Sequence, residues 1–81
     1  MAHPETTMTV EVAYAKPDEQ RIFSVQVVVG CTVLEAIERS GVLPYFPEID
    51  INKVRVGIFG KLAQLDTVLQ PNDRIEIYRQ L

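Results

Sequence analysis

Two alternating runs with one short turn between them, followed by a single helix-start signal, constrain this chain more than any other feature. Met8, Val10, Val12 and Tyr14 fall on one side of an extended run; Thr9, Glu11 and Ala13 fall on the other. A period of two marks a half-buried strand. Lys16-Pro17-Asp18-Glu19-Gln20 follows. Pro17 presets a turn dihedral and Asp18 bonds its own backbone, so the chain reverses there. Arg21 to Val29 is a second strand, rich in β-branched residues, and the two runs read as an antiparallel hairpin. After Gly30 and Cys31, Thr32 and Glu35 have the spacing of a capping box, in which each side chain accepts from the other residue's backbone N–H. The helix then runs from Val33 to about Ser40, with Val33, Ala36, Ile37 and Ser40 along one stripe and Leu34 beside it. Gly41 suits a left-handed C-terminal cap. So short a helix is unstable alone in water and must be held against a sheet.

Leu43 to Asn52 reads as an irregular connection, broken by Pro44 and Pro47. Lys53 to Phe59 alternates again, with Val54, Val56 and Ile58 on one side. Gly60-Lys61 turns into a short segment, Leu62 to Leu65; Asp66 to Leu69 is compatible with one turn of helix. Pro71-Asn72-Asp73 signals a turn. The last strand is Arg74 to Arg79, with Ile75 and Ile77 facing in and Arg74, Glu76 and Tyr78 facing out. The order is β-β-α-β-(β)-β. It is the order of an α+β fold of the β-grasp (ubiquitin-like) type, a mixed sheet of four to five strands crossed by one helix. The crossover lets the last strand lie parallel to the first at the sheet centre, with the second strand at an edge. Residues 1–7 are expected to be a disordered tail, and 8–81 the domain.

With 81 residues the chain holds one domain. A domain of that size has a thin core, which is poor material for a deep catalytic cleft. The net charge of −3 gives no general attraction for nucleic acid or anionic membrane. Cys31 is the only cysteine. It cannot close an internal disulfide, and the usage fits a reducing cytosol. No run of 18 apolar residues is present, so no membrane insertion is expected. The N-terminus lacks a basic segment followed by an apolar one, and a cytoplasmic location is expected.

Candidate chemistries are few. A reactive Cys31 needs a lowered thiol pKa. The only histidine, His3, lies in the expected tail, although a helix start sits beside the thiol. The more economical reading is a small residue packed at the helix entry. Glu48, Asp50, Asp66, Asp73 and Glu76 form no metal-ligand pattern and read as solvated surface. No cofactor and no metal are expected. Arg55, Lys61, Arg74 and Arg79 are candidates for a basic cluster on the closing sheet, with Tyr78 among them to stack on RNA. Glu76 in their midst argues for a mixed charged face instead. Aromatic residues beyond what a core needs often mark a partner site. Phe59 is out of phase with Val54, Val56 and Ile58, and Tyr45 and Phe46 sit in a proline-bounded loop. Phe46 reads as core, Tyr45 as a contact residue, and Phe59 as either. The edge strand from Arg21 to Val28 offers to add a partner's strand.

Three segments resemble the RnfH family of bacterial ubiquitin-like proteins. They are Val10-Glu-Val-Ala-Tyr-Ala, Gly30-Cys-Thr-Val through Glu35-Ala-Ile to Ser40-Gly, and Val56-Gly-Ile-Phe-Gly-Lys together with Asp73-Arg-Ile-Glu-Ile-Tyr-Arg. Phe46-Pro-Glu-Ile-Asp fits as well. Family members typically continue into a charged tail where this sequence ends in Arg79-Gln-Leu, and Gln80 stands where the family tends to have proline. The resemblance implies a cytoplasmic β-grasp protein, named for genetic association with an electron-transport (Rnf) complex. Some members are described as one component of a toxin–antitoxin-like pair. Ile58-Phe-Gly-Lys61 also resembles a stretch of ubiquitin that carries an exposed apolar patch used for partner binding. Sulfur carriers and conjugated modifiers of this fold end in Gly-Gly; here the last glycine is Gly60, so that chemistry is not expected.

The resulting expectation is a noncatalytic protein-interaction module, a monomer or weak dimer, with a protein partner and no nucleic acid. The expected contact residues are Gly57, Phe59, Gly60, Lys61, Arg74, Tyr78 and Tyr45. Phe59 would supply apolar burial, and Lys61 and Arg74 would set orientation. The alternatives are a small RNA-binding domain and, further off, a sulfur-carrier-like protein.

Overall fold

The computed structural model describes residues 6–16 and 18–78; the expected turn proline Pro17, His3, Arg79, Gln80 and Leu81 lie outside them. Strand β1 spans Thr7–Lys16 and β2 spans Glu19–Val28. They pair antiparallel in an unbroken register from Thr7↔Val28 to Lys16↔Glu19. The alternation holds: Met8, Val10, Val12 and Tyr14 are buried, while Thr7 and Thr9 are exposed. Pairing starts earlier than expected, because Thr7 is already in β1 and the Thr6 carbonyl accepts from Val29 N–H at 2.9 Å.

Helix α1 is Val33–Ser40, with Val33, Ala36 and Ile37 buried. The capping box is present: Thr32 Oγ1 accepts from Glu35 N at 3.3 Å, and Glu35 Oε1 accepts from Thr32 N at 3.0 Å. The next two donors of the helix are met by distant backbone. Val33 N donates to Thr67 O at 3.0 Å and Leu34 N to Leu65 O at 2.9 Å. This corrects the helical turn expected at Asp66–Leu69. The chain instead turns at Leu65–Asp66, bridges Thr32↔Val68, and gives the Leu65 and Thr67 carbonyls to the start of α1. A helix N-terminus leaves unpaired donors, and this one recruits acceptors from the far end of the chain.

Gly41, at φ 87, ends α1 in the left-handed conformation. A one-turn helix α2 follows at Val42–Tyr45, where irregular chain was expected. Ser40 Oγ accepts from Val42 N at 3.2 Å, and Pro44 falls in the first turn, where a missing N–H costs nothing. Strand β3 is Arg55–Ile58, shorter than the expected run from Lys53. The cause is Asp50, whose side chain accepts from Asn52 N (3.0 Å) and whose carbonyl accepts from Lys53 N (2.9 Å) and Val54 N (3.1 Å). These bonds hold the chain in a turn until Val54. Strands β4 (Lys61–Ala63) and β5 (Arg74–Tyr78) complete a sheet in the order β2-β1-β5-β3-β4. β5 lies parallel to β1 and antiparallel to β3. A hairpin, a crossing helix and a central closing strand constitute the β-grasp fold. α1 packs on one side of the sheet over Val10, Val12, Val27, Val56, Ile75 and Ile77, with Leu69 closing the core. No polar or charged residue is buried among those described.

Candidate protein-binding surface

The other side of the sheet carries most of the expected contact residues, and the register decides which. Ile58 pairs with Lys61, so Phe59 and Gly60 form a two-residue turn between β3 and β4. Both have positive φ, 48° and 83°. Turns of this hand match strand twist, and they favour Asn or Gly at both places. Phe59 is an unusual occupant, and the residue is 61 % exposed.

The turn is pinned to β5. Phe59 N donates to Arg74 O at 3.2 Å, and Gly60 N donates to Glu76 Oε1 at 2.8 Å. The same carboxylate oxygen accepts from Tyr78 Oη at 2.7 Å. That hydrogen bond, with burial and the Glu76 charge behind it, pushes the Tyr78 phenol above its ordinary range. The Tyr78 ring lies over Gly57, where a Cβ would stand 2.9 Å from Tyr78 Cε2 and 2.8 Å from the Lys61 carbonyl oxygen. Gly57 is therefore buried, not part of the exposed face: its role is to let the tyrosine lie flat. Leu62 pairs with Gly57 and is 69 % exposed on the same side.

Gly57, Phe59, Gly60, Arg74 and Tyr78 are thus brought together, with Glu76 as their common anchor. Arg74 is committed within the sheet, its Nε donating to Glu11 Oε1 at 3.0 Å. Lys61 is opposite Ile58 and takes the helix side at the sheet edge, away from Arg74. Ile58, in the stretch that resembles ubiquitin, packs against the core. Tyr45 is not part of this surface. It sits at the opposite edge, 5.7 Å from the Phe23 ring and 4.7 Å from Phe46, with Arg21 stacked 4.4 Å from its centroid. Phe46 is core.

The chemistries set aside have little support in the geometry. Cys31 is buried and free, and desolvation, then the Glu35 charge, pushes its thiol up rather than toward a thiolate. Glu48 lies near Lys16 (3.5 Å) and Tyr14 (3.5 Å), and Asp73 accepts from Gln70 N (2.8 Å). Both carboxylates serve their own turn or neighbour. Among the described residues no three His, Cys, Asp or Glu side chains are grouped to hold a metal ion, and no helix is long and apolar enough to cross a membrane. An open groove of about 460 Å³ runs beside β4, between Val54, Val56, Leu62 and Leu65.

Leu62 was missed by sequence reasoning. In a three-residue strand it has too few neighbours to show a period, and only its pairing with Gly57 sets its side. Ile22, 44 % exposed, was missed because Val25, Val27, Val28 and Val29 blur the alternation of β2.

Residues 8–81 match the profile described as RnfH family Ubiquitin. Protein RnfH of Paraburkholderia phymatum is 50 % identical over 74 residues, which cover 91 % of this chain and 67 % of that protein. A solved structure of protein HI0395 from Haemophilus influenzae, a 3D domain-swapped dimer, is 46 % identical with a TM-score of 0.61, covering 94 % of this chain and 95 % of that one. A ubiquitin-like protein from Trypanosoma brucei shares the fold at 19 % identity, with a TM-score of 0.64 over 93 % of this chain and 96 % of that one. The five-stranded sheet, the single crossing helix and these matches agree: the chain belongs to the RnfH family of ubiquitin-like proteins.

Proposed function

We propose that this chain is a noncatalytic protein-binding module of the cytoplasm, and that its partner closes over the β3–β4 turn and the adjoining outer face of β5. Phe59 carries the proposal. A bulky residue at φ 48 stands in a conformation that costs about 1–2 kcal/mol, and its exposure means that no core burial offsets the cost. Strain kept without a folding return points to function. Leu62, opposite Gly57 in the same hairpin, adds exposed apolar surface, and the Glu76 hydrogen bonds hold the turn in place before binding, which lowers the ordering cost.

The absence of any activated nucleophile in the described residues leaves binding as the economical reading. RNA binding has less support: Arg74 is paired with Glu11, and Glu76 sits in the middle of the basic residues.

A quantitative pulldown with wild type, Phe59→Ala and Leu62→Ala, each checked for fold by circular dichroism, tests this. The expected result is at least tenfold lower recovery of specific partners with either folded variant. Equal recovery refutes the site. A gel shift that weakens steeply with salt would favour RNA instead.

A further inference from the structure

Strand β2 is an outer strand of the sheet, paired on one side only among the described residues. Val29 N donates to Thr6 O, and the register runs unbroken from there. In an antiparallel pair, residues turn their N–H and C=O alternately toward and away from the partner strand. The odd-numbered residues of β2 therefore face β1. Gln20, Ile22, Ser24 and Gln26 turn both groups outward, where no backbone of the described residues meets them. Val28 turns out its N–H, while its carbonyl accepts from Cys31 N at 3.1 Å.

Natural edge strands are blunted by charge, proline, bulges or brevity. β2 is 10 residues long and shows no bulge in its register, and from Ile22 to Gly30 it has neither a charge nor a proline. Three exposed apolar side chains, Ile22, Val29 and Tyr45, border the same edge.

The geometry points to a second copy of this chain as the occupant, its β2 antiparallel to the first about a two-fold axis at Ser24. In that register Ser24 meets Ser24 and Ile22 meets Gln26, each pair exchanging outward hydrogen bonds, and Gln20 meets Val28, whose outward N–H donates to the Gln20 carbonyl. On the helix side Phe23 meets Val25 twice, an aromatic against a β-branched residue, which is a favourable cross-strand pair. The two charged residues of the strand meet neutral ones: Arg21 faces Val27 and Glu19 faces Val29. No like charges are opposed, and a net charge of −3 per copy repels weakly. The product is one continuous sheet through both copies. This surface is at the opposite edge of the sheet from Phe59 and Leu62, so its fate is independent of the partner site.

Sedimentation velocity from micromolar to millimolar protein, with amide exchange followed by NMR at both extremes, tests the inference. The expected result is a reversible monomer–dimer equilibrium in which the Ile22, Ser24 and Gln26 amides gain protection with concentration, while the odd-numbered amides of β2 are protected throughout. Ser24→Pro removes the central outward donor from each copy and leaves the β1 ladder intact. It should weaken the dimer about thirtyfold, from two lost hydrogen bonds. Ser24→Lys, which opposes two ammonium groups, keeps the test open if the proline variant fails to fold. Gln64→Lys adds the same charge beyond β4 and should leave the dimer unchanged. A monomer at every concentration overturns the inference, as does a dimer indifferent to the folded Ser24 variants. A dimer that forms only on refolding overturns it in favour of segment exchange.

Discussion

Gly57→Ala tests the logic of the outer face more sharply than any charge reversal. The glycine does not need an unusual φ, so the substitution carries no backbone strain; its effect is steric. The new Cβ would lie 2.8 Å from the Lys61 carbonyl and 2.9 Å from Tyr78 Cε2. The carbonyl is held by the Ile58↔Lys61 pair and cannot retreat. The Tyr78 ring must therefore swing away, giving up its 2.7 Å bond to Glu76. Overpacking of this kind costs about 1–3 kcal/mol, and the lost hydrogen bond, discounted for partial exposure, adds about 1 kcal/mol. A loss of about 2–4 kcal/mol is a large part of the roughly 4–12 kcal/mol expected of a domain this long. Urea denaturation should show a lower midpoint with an unchanged slope. A second readout is the phenol itself. Wild-type Tyr78 holds its proton more tightly than the unfolded chain does, because Glu76 accepts from it. The resulting stability is complete below the ordinary tyrosine pKa of about 10 and is lost as pH rises through the folded value. Gly57→Ala should bring the titration of Tyr78 back toward that ordinary value. A cost under about 0.5 kcal/mol, or an unshifted Tyr78, would refute the reasoning.

Thr32→Ala removes one arm of the capping box and should cost about 1 kcal/mol by urea denaturation; full retention of stability would mean that the Leu65 and Thr67 carbonyls hold the helix start alone. Ile37→Ala, at a site with no exposure, should cost about 2–5 kcal/mol. Phe59→Gly should leave stability unchanged or raise it by up to about 1 kcal/mol, since the left-handed turn suits glycine, while partner recovery falls. The Glu48 carboxyl is held below its usual range, first by a backbone hydrogen bond and then by Lys16 and Tyr14. Its contribution is present above the ordinary carboxylate pKa and lost as pH falls through the folded value. Glu48→Gln should therefore flatten the acid limb of the stability profile.

Much of this fold was legible from period and punctuation. The alternation of Met8 to Tyr14, the Thr32–Glu35 box and Gly41 are local signals, and each element formed where its signal stood. Two of the misses share one cause. Asp66 to Leu69 has the composition of a helical turn, yet the chain turns at Leu65–Asp66 and then runs alongside Thr32, because the start of α1, far away in sequence, takes the Leu65 and Thr67 carbonyls. Lys53 belongs to the periodic run, yet Asp50 holds it in a turn. In both places a hydrogen bond outweighed a weak propensity.

The candidate surface divides along the same line. Sequence alone marked Phe59 as out of phase, Gly60 as a turn and Tyr78 as outward, because those are properties of a residue and its immediate neighbours. Which of them meet was decided by tertiary structure. Strand register moved Lys61 to the helix side, set Leu62 opposite Gly57, and left Tyr45 across the whole width of the sheet. Pairing between distant strands has no local code. It follows from how the apolar faces close over one core, and a shift of a single residue would turn every side chain to the other side.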